Sequence, residues 1–205
     1  MKGIPMSGRL RAVMRNFATG VCVASTYRDE GALRRHDAIT INSLTSVSLD
    51  PALISICLQN GSNFLADLLA TGKFALSILE GDEDVTAGRL ARSRPTRTPA
   101  VAALAASPGA HSGALILEEH ASIECELWDS FDVGDHKMVI GRVLSINLTA
   151  QERPPLAFLH GRYRSLQTRS APIERPELVT ALAAPVQTAA SGPATHAGAF
   201  RGVSR

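Results

Sequence analysis

Charge of one sign is scarce in this chain: 21 Lys and Arg stand against 19 Asp and Glu in 205 residues, a net of +2. Nucleic-acid binding needs a concentrated basic face, and so mild an excess argues against it. Cysteine is scarce too. Cys22, Cys57 and Cys125 lie far apart and form no Cys-x-x-Cys pair, which argues against a zinc knuckle or a thioredoxin-like centre. An odd, dispersed set fits a reducing, cytoplasmic setting in which thiols pack as small apolar groups. Long apolar runs are missing. The opening Met1-Lys2-Gly3-Ile4-Pro5 begins none, so the sequence predicts neither a secretory signal nor a membrane span. No Gly-x-Gly-x-x-Gly follows a strand, Asp67 stands where a P-loop ending at Gly72-Lys73 needs glycine, and neither Gly-x-Ser-x-Gly nor His-Glu-x-x-His occurs. A Rossmann dinucleotide site, a P-loop, a hydrolase elbow and a zinc helix therefore lack their signatures.

What is present is a succession of short strands with a few helices between them. The spacing of Leu10, Val13, Met14 and Phe17 predicts a helix capped by Ser7, and Val21 to Tyr27 is a good strand, followed by a charged turn over Arg28 to Arg35. Asp37 to Ser48 reads as a strand and then a hydroxyl-rich bend, and Asp50-Pro51 as a turn. Leu53 to Leu58 is a strand buried on both sides. Ser62 caps a helix through Thr71, with Leu65, Leu68 and Leu69 inward and Gly72 as its stop. Phe74 to Leu79 is another buried strand, and Asp82 to Arg92 a short helix. Arg94 to Ser112, rich in Pro, Ala, Thr and Arg, predicts a mobile surface loop. The alternation through Ile123, Cys125 and Leu127 predicts a half-buried strand, with others at Val139–Leu148, Leu156–Leu159 and Tyr163–Leu166. Strands do not alternate regularly with crossover helices. The expected fold is mainly β with a few helices, an antiparallel barrel over residues 1–168, and residues 169–205 form an Ala/Pro-rich tail expected to be disordered.

Three clusters can carry chemistry. Six of the nine residues from Thr40 to Ser48 are Thr, Ser or Asn, which can hydrogen-bond ring edges, sugar-like hydroxyls or phosphate, although Thr and Ser are also simply good strand residues. Gln59-Asn60-Gly61-Ser62-Asn63 leaves a buried strand and opens a helix, which makes either an anion site or an ordinary N-cap. Gly134-Asp135-His136 starts a strand; His136 can donate to a ligand with Asp135 setting its tautomer, or the pair can only shape the turn. The remaining histidines read as surface or loop residues.

These passages come in the order expected for a known family. Met14 to Val21, Thr40-Ile41-Asn42-Ser43-Leu44-Thr45-Ser46-Val47-Ser48-Leu49-Asp50-Pro51, Gly72 to Leu79, and Gly134-Asp135-His136 with Ile140-Gly141-Arg142-Val143 resemble the flavin reductase components of two-component flavin-dependent monooxygenases. The resemblance implies the split-barrel, flavin reductase-like FMN-binding fold. It implies that Thr40, Asn42, Ser43 and Leu44 line the isoalloxazine and ribityl chain, with Ser46, Val47 and Ser48 continuing towards the phosphate. Cys57, Leu58 and Gln59 would lie beside the flavin, Ser62 and Asn63 would hold phosphate, Arg89 or Arg92 would add positive charge, and His136, carried by Gly134 and Asp135, would face flavin and nicotinamide. Two departures stand out: Leu44 replaces the usual Phe, and Arg94 to His111 does not follow the usual loop.

The implied activity is reduction of free FMN or FAD by NADH or NADPH, with no metal, in a homodimer that supplies reduced flavin to a partner monooxygenase. A non-catalytic flavin-binding protein and a split-barrel flavin oxidase with its own substrate are the alternatives, since one fold can host all three.

Overall fold

The computed structural model describes residues 5–149 and 153–166; the tail beginning at Arg169 lies outside the described residues. Helix α1 (Met6–Met14) and the two-residue strand β1 (Thr19–Gly20) lead into β2 (Cys22–Glu30). β2 is buried from Cys22 to Tyr27 because its two faces serve two cores. Cys22 and Ala24 enter one, and Val23, with the preceding Val21, enters the other. The charged segment after Tyr27 is not an extended turn. β2 and β3 (Leu33–Ile41) stay paired up to Glu30 and Leu33, and only Gly31 and Ala32 turn between them.

A bend carries β3 into β4 (Thr45–Leu49), which pairs with β5 (Ala52–Gln59). Helix α2 (Asn63–Thr71) follows. Ser62 caps it by accepting a hydrogen bond from the Leu65 amide, and Gly72 ends it in the left-handed region at φ 63°, as the sequence predicts. Phe64, Leu65 and Leu68 are its buried apolar residues, each worth about 1.5–3 kcal/mol on burial. Leu69, expected inward, is 36% exposed. β6 (Lys73–Ile78), α3 (Asp84–Leu90), α4 (Arg94–Ala102), the short pair β7 (Ala106–Pro108) and β8 (Leu115–Leu117), the long hairpin β9 (Ser122–Val133) and β10 (His136–Asn147), and β11 (Leu156–Leu159) with β12 (Arg162–Ser165) complete the chain.

Seven strands make one antiparallel sheet in the order β3-β2-β6-β9-β10-β5-β4. Although β3 ends one side of this sheet and β5 lies next to the other end, Ile41 of β3 and Ile54, Ile56 and Leu58 of β5 share one core with Phe74, Cys125 and Val139. The sheet is therefore rolled around that core, with α2 filling it. The second core joins the outer face of β2 to α3, α4, β8 and β11 through Ala87, Leu90, Val101, Leu117 and Leu156. This is the split-barrel architecture, mainly β with a few helices.

The expectation of a mobile loop over Arg94 to Ser112 is wrong. Pro95 sits in the first turn of α4, where a missing N–H costs nothing, and although Pro99 interrupts the helix interior, tertiary contacts hold it. Val101 enters the second core, and Arg97 is buried against Asp37. The half-buried reading of β9 also needs correction. Glu124, expected outward, is buried and accepts from the His111 and Ser112 amides and the Ser112 hydroxyl. α1 begins at Met6 behind Pro5, with no side-chain cap, ends at Met14 rather than Phe17, and buries none of its residues.

Candidate active site

The C-terminal end of β5, the first turn of α2, β3 and the chain from α3 to α4 enclose a cleft of about 370 Å³. Its apolar wall is Ile39, Leu58, Phe64 and Leu90; its polar side carries Thr40, Gln59, Ser62, Asn63, Arg92 and Arg94. Each position follows from local folding. Gly61 turns the chain out of β5 at φ 73°, so that α2 starts at the cleft edge. Ser62 accepts the Leu65 amide at 3.3 Å, which leaves its hydroxyl hydrogen free to donate outward. Thr40 spends its hydroxyl hydrogen on the Ala87 carbonyl at 2.7 Å and so fastens β3 to α3. A smaller groove of about 130 Å³ adjoins the cleft and shares Thr40 and Ala91 with it; Asn42, Phe158 and Tyr163 border this extension. Asn42 is held there by its amide donating to the Thr19 hydroxyl at 3.1 Å.

Of the residues singled out in the sequence, Thr40, Leu58, Gln59, Ser62, Asn63 and Arg92 line the main cleft and Asn42 its extension. The others are placed differently. Ser43 bridges the Cys57 backbone, donating to its carbonyl at 3.1 Å and accepting from its amide at 3.0 Å, so its hydroxyl ties the bend to β5. Leu44 packs against the first core, and Ser46, Val47 and Ser48 lie on edge strand β4. Arg89 is exposed in the last turn of α3.

His136 does not line the cleft but pairs in register with Gln59, which does. Gly134, at φ 62°, and Asp135 form the two-residue turn of the β9–β10 hairpin. This turn is stitched to β5: the Asn60 amide donates to the Asp135 carbonyl at 3.0 Å and the Asn60 side chain to the Gly134 carbonyl at 3.3 Å. The His136 Nδ1 stands 2.7 Å from the Asp135 carboxylate, and that hydrogen bond holds the Asp135 carboxyl below its ordinary range.

The sequence reading missed Arg94 and Arg97. Their three-residue spacing on a helix, with Asp37 and Asp67 elsewhere in the chain, was the available signal, but it was hidden in a Pro- and Ala-rich stretch. Burial pushes the Asp37 carboxyl up, yet the hydrogen bonds and charges of Arg97 and Arg94 outweigh that and hold it below its usual range. Among the described residues no cluster of His, Cys, Asp and Glu is placed to hold a metal, and no helix is long and apolar enough to cross a membrane.

This arrangement of elements has known counterparts. Residues 14–167 match the family described as flavin reductase like domain. The chain belongs to the flavin reductase family. One relative is the NADH-dependent FAD reductase of Streptomyces globisporus, 33% identical over 158 residues that cover 76% of this chain and 84% of that protein. Another is the NADH-dependent FMN reductase AsuE2 of Streptomyces nodosus subsp. asukaensis, 29% identical over 164 residues, 80% of this chain and 86% of that one. Among solved structures, BorF, the flavin reductase component of a bacterial two-component tryptophan halogenase, superposes with a TM-score of 0.70 at 34% identity, over 80% of this chain and 99% of BorF.

The residues of this reductase suit a flavin nucleotide. A cleft of about 370 Å³ lies in the size range of small-molecule sites. Its apolar wall matches a planar ring system. The arginines and the start of α2 match a phosphate, for which helix N-termini and guanidinium groups are suited donors.

Proposed function

We propose that this flavin reductase takes FMN or FAD into the cleft, reduces it with NADH (or, alternatively, NADPH), and releases it to a partner flavin-dependent monooxygenase. The observation that carries the reading is the cleft itself: an apolar wall on one side, a cationic rim and a helix start on the other. When bound, flavin supplies the ring position that accepts the nicotinamide hydride, so the chain needs no covalent chemistry of its own.

The chain's residues bind, orient and exclude water. Ile39, Leu58 and Phe64 offer the ring a dry face. Thr40, Asn42 and Gln59 address its polar edge and the ribityl chain, and Ser62 donates its remaining hydroxyl hydrogen to phosphate beside the amides that open α2. Ser46, Val47 and Ser48 on the exposed edge strand, with Cys57 and Leu44 behind the bend, extend this wall where a second subunit completes it. His136, oriented by Asp135 and held level with Gln59 by the pairing of β10 with β5, positions the nicotinamide. A homodimer is part of this reading, as is a cytoplasmic setting, which the free Cys22, Cys57 and Cys125 favour. The reading also places the catalytic domain in residues 1–168.

The test is oxidation of NADH or NADPH in the presence of riboflavin, FMN or FAD. Protein-dependent oxidation is expected, with NADH and FMN the best pair. No rate above the flavin-only control in any of the six combinations would overturn the reading. Flavin that stays on the protein through gel filtration, with turnover of some other substrate only, would make it an oxidase.

A further inference from the structure

α4 is the element that the sequence hides, and it brings a network of charges to the cleft. Arg97 grips Asp37 with two parallel hydrogen bonds, Nε to Oδ1 at 2.8 Å and Nη2 to Oδ2 at 2.6 Å, and its Nη1 donates to the Arg92 carbonyl at 3.0 Å. Arg94 donates to Asp37 Oδ2 from Nε at 2.9 Å and from Nη2 at 2.7 Å, and Nη2 also meets Asp67 Oδ2. Arg28 closes the cluster, its Nε 3.0 Å from Asp67 Oδ1 but off the hydrogen-bond line. Asp37, Asp67 and Arg97 are buried; Arg97 and Arg94 both border the cleft, and Arg94 keeps 23% of its side chain exposed there.

Two features make this more than a structural clasp. The Nε and Nη2 of Arg94 are spent on carboxylates behind the wall, while its Nη1 has no hydrogen bond among the described residues. A guanidinium fixed on one edge and free on the other presents two donors at little further cost in side-chain freedom. The charges also leave a remainder. Three arginines face two aspartates, and Arg92 at the rim adds another cation, so the cluster carries an excess of two positive charges. A phosphate monoester carries about −1.5 to −2 at neutral pH.

We propose that Arg94 is the anchor for the phosphate of the flavin nucleotide, and that Asp37 and Asp67 are positioning residues that aim it. The assignment rests on the flavin-reductase reading above and names a residue outside those drawn from the sequence. Arg94 shares its cleft with Ser62 and Asn63 at the start of α2, so phosphate held there receives a helix terminus from one side and a guanidinium edge from the other.

The experiment compares binding of FMN and riboflavin, which differ only in the phosphate, to full-length, flavin-free protein by fluorescence titration without nicotinamide. Wild type is expected to prefer FMN. In Arg94→Gln that preference falls about tenfold or more, the loss expected for a charge-assisted hydrogen bond. Arg94→Lys, which keeps the charge but not the fork, retains part of it. Asp67→Asn is diagnostic in sign. It adds positive charge, so a purely electrostatic role predicts tighter FMN binding, whereas loss of positioning predicts a severalfold weaker preference. Inorganic phosphate should displace FMN from wild type and not riboflavin.

An unchanged preference in both Arg94 variants overturns the proposal. So does a preference unchanged in Arg94→Gln with a raised KM for NADH when riboflavin is the acceptor, because Arg94 then serves the nicotinamide nucleotide. A stronger FMN preference in Asp67→Asn removes the positioning role. Wild-type protein that binds neither flavin removes the flavin reading itself, and this proposal with it.

Discussion

His136 and Ser43 show how differently a side chain can sit from what its neighbours in sequence suggest. Both belong to passages that marked the site. Ser43 turned out to use its hydroxyl on the Cys57 backbone, a bond that no spacing rule reveals, because the bend and β5 meet only through tertiary folding. His136 lies outside the cleft lining yet level with Gln59, because β10 pairs with β5 in that register and Asn60, just past β5, bonds the Gly134-Asp135 turn that opens β10. The Asp135 carboxylate on Nδ1 leaves Nε2 as the ring nitrogen available to a ligand. If His136 orients the nicotinamide, His136→Ala should raise the KM for NADH and slow flavin bleaching in stopped flow by up to about a hundredfold, since a misplaced contact of an ångström can cost that much. FMN affinity should change far less than the bleaching rate. A folded variant that bleaches flavin at the wild-type rate would remove His136 from the reaction.

Among the elements, the strands and the short helix α3 were legible and the region from α4 to β8 was not. Alternating and continuous apolar runs define β2, β5, β6 and β10 because those residues enter the cores directly. α4 contains two prolines and two arginines that local propensity reads as loop, and it becomes a helix because Val101 and the Asp37 pairing hold it. His120, read as a surface residue, belongs to the same hidden layer. Its Nε2 lies 2.7 Å from Glu83, just before α3, and its Nδ1 lies 2.5 Å from the Glu118 carbonyl. The Glu83 hydrogen bond is the main cause that holds the His120 pKa above its ordinary 6.5, outweighing burial. Burial pushes Glu83 up, but His120 and the Glu80 amide draw it below its ordinary 4.5. A raised histidine contributes stability that is complete below its unfolded pKa and is lost as pH rises through the folded one. A lowered glutamate contributes stability that is complete above its unfolded pKa and is lost as pH falls through the folded one. The pair is therefore worth most between 4.5 and 6.5. His120→Gln should lower Tm by a few degrees near the middle of that window, the screened loss of a partly buried ion pair being at most about 1 kcal/mol, and by progressively less in alkaline buffer. A Tm difference that grows towards alkaline pH would show that the pair does not act as an ion pair.

At the scale of the whole molecule, the described residues bury two cores but leave apolar surface that neither core uses. Leu10, Val13, Met14 and Phe17 are 50–67% exposed, in and just beyond a nine-residue helix that buries nothing. A helix this short is marginal in water without packing. On β4, an edge strand with one unpaired side, Val47 is 52% and Leu49 90% exposed, although edge strands are usually short, charged or covered. The apolar stripe of α1 was visible in the sequence. That it would face away from its own core was not, because periodicity shows which residues share a face and never what covers it. A second copy of the chain is the proposed cover. Wild-type protein should sediment at twice its 21.7 kDa. Leu49→Asp together with Val13→Asp should shift it to the monomer mass and weaken FMN binding in parallel, since β4 is proposed to extend the flavin wall towards the subunit contact. A chain ending at Thr168 separates this from a cover supplied by residues 169–205. If the second copy is the cover, the shortened chain remains a dimer and keeps its flavin affinity; if it sediments as a monomer or aggregates, the tail and not a partner protects these surfaces.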